Sequence, residues 1–244
     1  MKNLKSVLIW DLPTRVFHWL LAAGFSIAAS LAFVAGEDSP LFPYHAMAGL
    51  TIVLMVVLRL FWGVVGSRHA RFSSFAFAPR AVFEYMHGLL RGRDVRHAGH
   101  NPASAWAIFV MLGLVLVLAA TGLLLGQGNE GLKDVHEFSA YAMLAVVVLH
   151  ILGVVLHTVR HRENLTASMI HGRKDADAGD EIGTSHRGAT LSFCILSAAW
   201  ASGLLANYDA ATQTTRLPLI GVSMQIGEVE DEGHRDQGQH DEDD

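Results

Sequence analysis

Cysteine is almost missing: Cys194 is the only one in 244 residues. That excludes an intramolecular disulfide, a C-x-x-C-H site for covalently attached haem, and the thiolate set of an iron–sulfur cluster. Cys194 itself reads as a small apolar packing residue. Charge is also scarce, at 17% of residues, and it avoids five long apolar stretches. Those stretches cover roughly 13–35, 44–66, 103–125, 132–159 and 189–206, and each is long enough to cross a bilayer as a helix. The fifth is the least apolar, with several Ser and Ala. No internal repeat is apparent, and nucleic acid is not an expected partner.

Lysine and arginine are absent from the short loops 36–43 and 126–131. They gather instead at Lys2, Lys5 and Arg15, at Arg68, Arg71, Arg80, Arg91, Arg93 and Arg96, and at Arg160, Arg162, Arg173, Lys174 and Arg187. Positive charge marks the cytoplasmic side. The N-terminus is therefore expected inside, the even-numbered spans run outside to inside, and with five spans the C-terminus lies outside. Lys2 and Lys5 before an apolar run also suit a signal peptide. The run is long for one and no clean small-x-small site follows, so an uncleaved anchor is the preferred reading.

What the spans do contain is histidine. Residues 132–159 carry His136, His150 and His157. An ionisable residue within a span is costly and is a functional candidate by default. His136 and His150 share a helix face to within ~40° and stand ~21 Å apart along the axis. His45 opens the second span near the outer surface, and His18 lies near the inner end of the first. The four thus match in depth as two pairs, His45 with His136 and His18 with His150. Iron held by two neutral imidazoles from different helices fits that arrangement. Zinc would want its ligands clustered at one point, which also disfavours a histidine-rich metal transporter. A proton relay has few acidic partners within the spans. Gly49, one turn after His45 on the same face, leaves room for a flat macrocycle, or equally for close helix packing. His157 would put two irons ~31 Å apart, so His150 is preferred.

Arg59 is the one arginine deep in a span. It lies fourteen residues after His45, at the level of the inner pair, where it either meets a haem propionate or snorkels to the cytoplasmic phosphates. The inner loop holds PRAVFEYMHGLLR, residues 79–91, which reads as a helix lying in the membrane interface. His69, His87 and His97 in that loop read as solvated.

The segments WDLPTRVFHW, YHAMAGLTIVLMVVLRLFWGVVGSR, VHEFSAYAMLAVVVLH and ENLTASMIHGRK resemble the bacterial cytochrome b561 family, in particular the branch of the b-type cytochrome subunit of nickel–iron hydrogenases. The resemblance covers about residues 7–174. It implies an all-α integral membrane four-helix bundle with two b haems, here followed by a fifth transmembrane helix. It implies His18 and His150 on the inner haem and His45 and His136 on the outer one, with electrons exchanged with quinone. By the same resemblance, His100 and Asn101 at the inner mouth are candidates to hydrogen-bond a quinone carbonyl. Asn101 before Pro102 also reads as a helix cap.

The expected organisation is a di-haem domain over 1–174, a cytoplasmic linker over 175–188, a fifth helix over 189–206, and an acidic, disordered periplasmic tail over 207–244. That tail would lure a basic electron-transfer protein such as a c-type cytochrome. The expected function is electron transfer between the quinone pool and a periplasmic redox partner, in a bacterial inner membrane, with self-association left open. The alternative is an enzyme reacting directly at the outer haem, such as a superoxide:quinone oxidoreductase.

Overall fold

The computed structural model describes residues 4–36, 39–93 and 97–227. Five of its helices are long and apolar enough to cross a membrane, and each falls within about two residues of the stretch expected from the sequence. They are α1 (Leu12–Ser30, prolonged by a π turn over Leu31–Ala35), α2 (Phe42–Val65), α4 (Pro102–Leu125), α5 (Lys133–His161) and α7 (Arg187–Ala206). The molecule is an all-α membrane bundle. α3 (Pro79–Leu90) lies between α2 and α4, and the short α6 (Leu165–His171) follows α5.

Local chemistry sets the helix starts. Asp11 caps α1, its Oδ1 accepting from the Thr14 amide at 2.9 Å, with Pro13 in the first turn. Asn101 caps α4 in the same way, accepting from the Ser104 amide at 2.8 Å ahead of Pro102. Both satisfy amides that the first helical turn leaves unpaired. α3 has the expected amphipathic form, and Phe83, Met86 and Leu90 stay exposed to whatever surrounds the protein. An apolar face of that kind beside membrane spans suits the bilayer interface.

The helices form two groups. α2 packs on α1, α4 and α7, while α5 packs mainly on α4. The common core holds Phe17, Ile52, Met55, Val56, Leu112, Val115, Met143 and Phe193. Between α1–α2 on one side and α4–α5 on the other runs a long cavity.

Two small sheets close the ends, and neither was expected. At the His18 end, β1 (Lys5–Leu8) pairs antiparallel with β2 (Arg173–Ala176), in the register Lys5↔Ala176 to Leu8↔Arg173. Val7, Ile9, Trp10 and Ala176 form a core beneath it, and the Ile182 amide donates to Leu8 O. The 175–188 segment is therefore folded onto the N-terminal strand rather than serving as a plain linker. At the His45 end, β3 (Tyr208–Asp209), β4 (Thr214–Arg216) and β5 (Ser223–Gln225) form an antiparallel sheet in the order β3-β4-β5. Met224 and Ile226 pack on Met47, Leu50 and Leu204, and Thr215 Oγ1 donates to Leu204 O at 2.8 Å, satisfying a carbonyl in the last turn of α7. The disordered tail expected from residue 207 is thus ordered to 227. Two apolar anchors and one buried hydroxyl suffice because α2 and α7 supply the rest of the core. Residues 228–244, the acidic run proper, lie outside the described residues.

Candidate functional site

The cavity has a volume of about 1900 Å³ and is lined by His18, His45, His136 and His150 together. A pocket for one small molecule is usually ~300–1,000 Å³, so there is room for more than one large cofactor. The lining is mostly apolar, from α1, α2, α4 and α5.

At one end, the rings of His45 and His136 have centroids 6.3 Å apart, with planes at 80°. His45 Nδ1 lies 2.9 Å from Ala28 O. A carbonyl only accepts, so that nitrogen carries the proton and Nε2 keeps its lone pair. His136 Nδ1 lies 2.8 Å from Thr121 Oγ1, which itself sits 2.8 Å from Val117 O. The single hydroxyl proton goes to the carbonyl, so Thr121 accepts from His136 Nδ1–H, and again Nε2 carries the free lone pair. Such donation fixes the tautomer and raises ligand basicity. Gly122 packs against the His136 ring: a Cβ there would lie 3.4 Å from Cε1.

Toward the other end, His18 and His150 both line the cavity. His18 Nδ1 is buried without a hydrogen-bond partner. Gly49 and Gly153 both line the cavity, and a Cβ on either would meet nothing within 4 Å. Open space in front of both glycines and an orphaned ring nitrogen are what a site shaped for flat, iron-bearing groups requires. Among the described residues, no cluster of three or more metal-ligating side chains occurs, in keeping with ligands spread over two levels.

A family model described as prokaryotic cytochrome b561 matches residues 9–172. The chain belongs to that family. It therefore carries b-type haem and transfers electrons in a membrane. The chain is 26% identical over 213 residues to a probable Ni/Fe-hydrogenase B-type cytochrome subunit of Rhizobium leguminosarum bv. viciae, covering 70% of this chain and 89% of the relative. It is 26% identical over 213 residues to the protein of the same description in Rhodobacter capsulatus, covering 69% and 81%. It is 25% identical over 223 residues to the probable Ni/Fe-hydrogenase 1 B-type cytochrome subunit of Escherichia coli K12, covering 72% and 94%. No solved structure matches it at a significant level.

His69 falls differently from expectation, and Arg59 has partners that the sequence did not show. Arg59 is 4% exposed and does not line the cavity. Its Nη2 donates to Ala70 O at 3.1 Å, and its guanidinium lies 4.9 Å from the Phe72 ring centroid and 5.9 Å from that of Phe17. Burial this deep excludes snorkelling; the loop after α2 supplies one carbonyl and the Phe72 face, α1 supplies the Phe17 face, and Nη1 stays buried without a hydrogen-bond partner. His69 is buried, not solvated, with Nε2 2.8 Å from Asp180 O. His87 is exposed. His157 is buried, with Nε2 3.2 Å from Glu163, which Lys174 also meets at 3.3 Å.

His100 and Asn101 both line the cavity at its His18 end. The Asn101 side-chain oxygen is committed to the helix cap. His100 is held between Trp10 and Phe75, with ring centroids at 4.7 and 4.5 Å, and its buried Nε2 has no partner. Burial, reinforced by the Arg59 and Lys174 charges, pushes the His100 pKa down to about 3, so the ring is neutral at physiological pH. Thr121, Gly122, Gly153 and the Ala28 carbonyl escaped the sequence reading. Thr121 is the one that left a signal, as an isolated polar residue deep in an apolar run.

Proposed function

We propose that the chain is a di-haem b-type membrane cytochrome that carries electrons between the quinone pool and a redox partner on the opposite membrane face. The observation that supports the reading is one cavity lined by His18, His45, His136 and His150, with the His45 and His136 rings 6.3 Å apart. His45 and His136 would hold the outer haem and His18 and His150 the inner one. When bound, haem iron supplies one-electron exchange between its ferrous and ferric forms. The chain supplies the rest. Ala28 O and Thr121 hold the Nδ1 protons of the outer ligands, the apolar lining excludes water, and α5 spaces the two levels ~21 Å apart. His100, neutral and with a free ring nitrogen, would hydrogen-bond quinone at the inner mouth, beside Asn101.

The partner is a hydrogenase-like subunit or a c-type cytochrome. The first follows the names of the relatives, and the second follows the acidic 228–244 run. The inner side is the one bearing β1, β2 and the arginine-rich loop. Quinol added to proteoliposomes should reduce both haems, and a periplasmic fraction should then reoxidise them. Rapid reduction by quinol with no acceleration by that fraction, but turnover with superoxide, would favour direct chemistry at the outer haem instead.

A further inference from the structure

The turn between β4 and β5, residues 217–222, points three apolar side chains out of the protein. Leu219 is fully exposed, Ile220 is 64% exposed and Val222 54%. Leu219 also has φ +68°, in the left-handed region, as does Gly221 at +73°. A branched side chain there is strained where glycine or asparagine would not be, so the turn's local needs do not explain a leucine. Neither does packing, since the side chain touches nothing in its own chain.

The depth of the turn is fixed by α7. Pro218 sits against Gly203, where an added Cβ would lie 2.7 Å from Pro218 Cγ. Gly203 lies in the last turn of α7, a span of 20 residues. At 1.5 Å per residue that helix just covers the ~30 Å of hydrocarbon, so Gly203 and Pro218 stand within ~5 Å of its edge. Tyr44 and Tyr208, with rings 6.1 Å apart, lie at the same end and suit the aromatic belt. Leu196, seven residues before Gly203 and so on the same side of α7, is also exposed. Arg216, at the base of the turn, is exposed, and its Nε donates to Gly221 O at 2.9 Å within the turn.

We propose that the Leu219–Ile220–Val222 tip inserts into the bilayer leaflet at the His45 end and tethers the β3–β5 cap to the membrane. The other edge of the same hairpin, Met224 to Gly227, lines the end of the cavity. The tether therefore holds that end covered.

The test is site-directed spin labelling of the full chain in phosphatidylcholine vesicles, in a Cys194→Ala background. Nitroxides are placed at Leu219→Cys and Ile220→Cys, with Thr212→Cys in the exposed β3–β4 turn as the aqueous reference. Ile220 repeats the test where the backbone is unstrained, should the label at 219 disturb the turn. Labels at 219 and 220 should relax with oxygen and be shielded from a water-soluble nickel chelate, the reverse of position 212. Nickel access at 219 and 220 equal to that at 212 would overturn the proposal. So would shielding that disappears on diluting the protein in lipid, since a second copy would then be the cover. The readout does not depend on haem, so it fails or holds separately from the electron-transfer reading.

Discussion

Thr121→Val is nearly isosteric and removes one function, the oxygen that accepts from His136 Nδ1–H at 2.8 Å. Loss of such an outer partner costs a metal-bound histidine about 10–100-fold in affinity. The stranding of that donor sets where in that range the effect falls. Valine leaves the Nδ1–H donor without its oxygen, and a buried unpaired group costs ~1–3 kcal/mol. The expected loss is therefore about tenfold, or ~1.4 kcal/mol, confined to the outer haem. Transfer of haem from the purified protein to a soluble scavenger, followed by the Soret band, measures it. The faster of two phases should accelerate about tenfold in Thr121→Val and stay near the parent rate in Thr121→Ser, which keeps the hydroxyl. The slower, inner phase should not change. Equal loss kinetics in Thr121→Val and the parent would refute the ligand-orienting role, and acceleration of both phases would refute its confinement to one end.

Arg59→Leu leaves Ala70 O without its donor and removes the cation from Phe72. It should destabilise the inner loop by about 1–3 kcal/mol, seen as faster proteolysis near 67–75, with haem content unchanged. His157→Ala should lower the melting temperature while retaining both haems, because His157 Nε2 is engaged with Glu163. For His100 the sign follows from its pKa of about 3 in the folded chain against ~6.5 unfolded. Below pH 6.5 the unfolded chain takes up a proton that the folded one does not, so stability falls as pH drops from ~6.5 toward ~3. Melting in detergent at pH 7 and pH 4.5 should show a smaller pH difference in His100→Gln than in the parent, with buried His69 contributing in the same direction in both.

The spans were legible because an apolar run of membrane length has few other uses, and Asp11–Pro13 and Asn101–Pro102 mark their own helix starts. The matched depths of His18, His45, His136 and His150 followed from counting along those helices. The β1–β2 ladder was not legible. KSVL is four residues long, its partner RKDA is polar, and the two lie more than 160 residues apart. The β3–β5 cap was hidden for a related reason, since its only strong anchors, Thr215, Met224 and Ile226, are buried by side chains of α2 and α7. The acceptor of Arg59 Nη2 was not legible, because it is a backbone carbonyl in the loop after α2 and the sequence does not record where a carbonyl points. The Thr121–His136 bond joins two helices, and only their packing reveals it.

The most direct measurement is haem stoichiometry by pyridine haemochrome on the purified chain and its four single histidine variants. The account predicts b-type haem near two per chain, all removed by acid–acetone. It also predicts a fall toward one per chain in each variant, with His45→Ala and His136→Ala losing the same spectral component and His18→Ala and His150→Ala losing the other. One haem per parent chain, or His45 and His136 variants that lose different components, would contradict it.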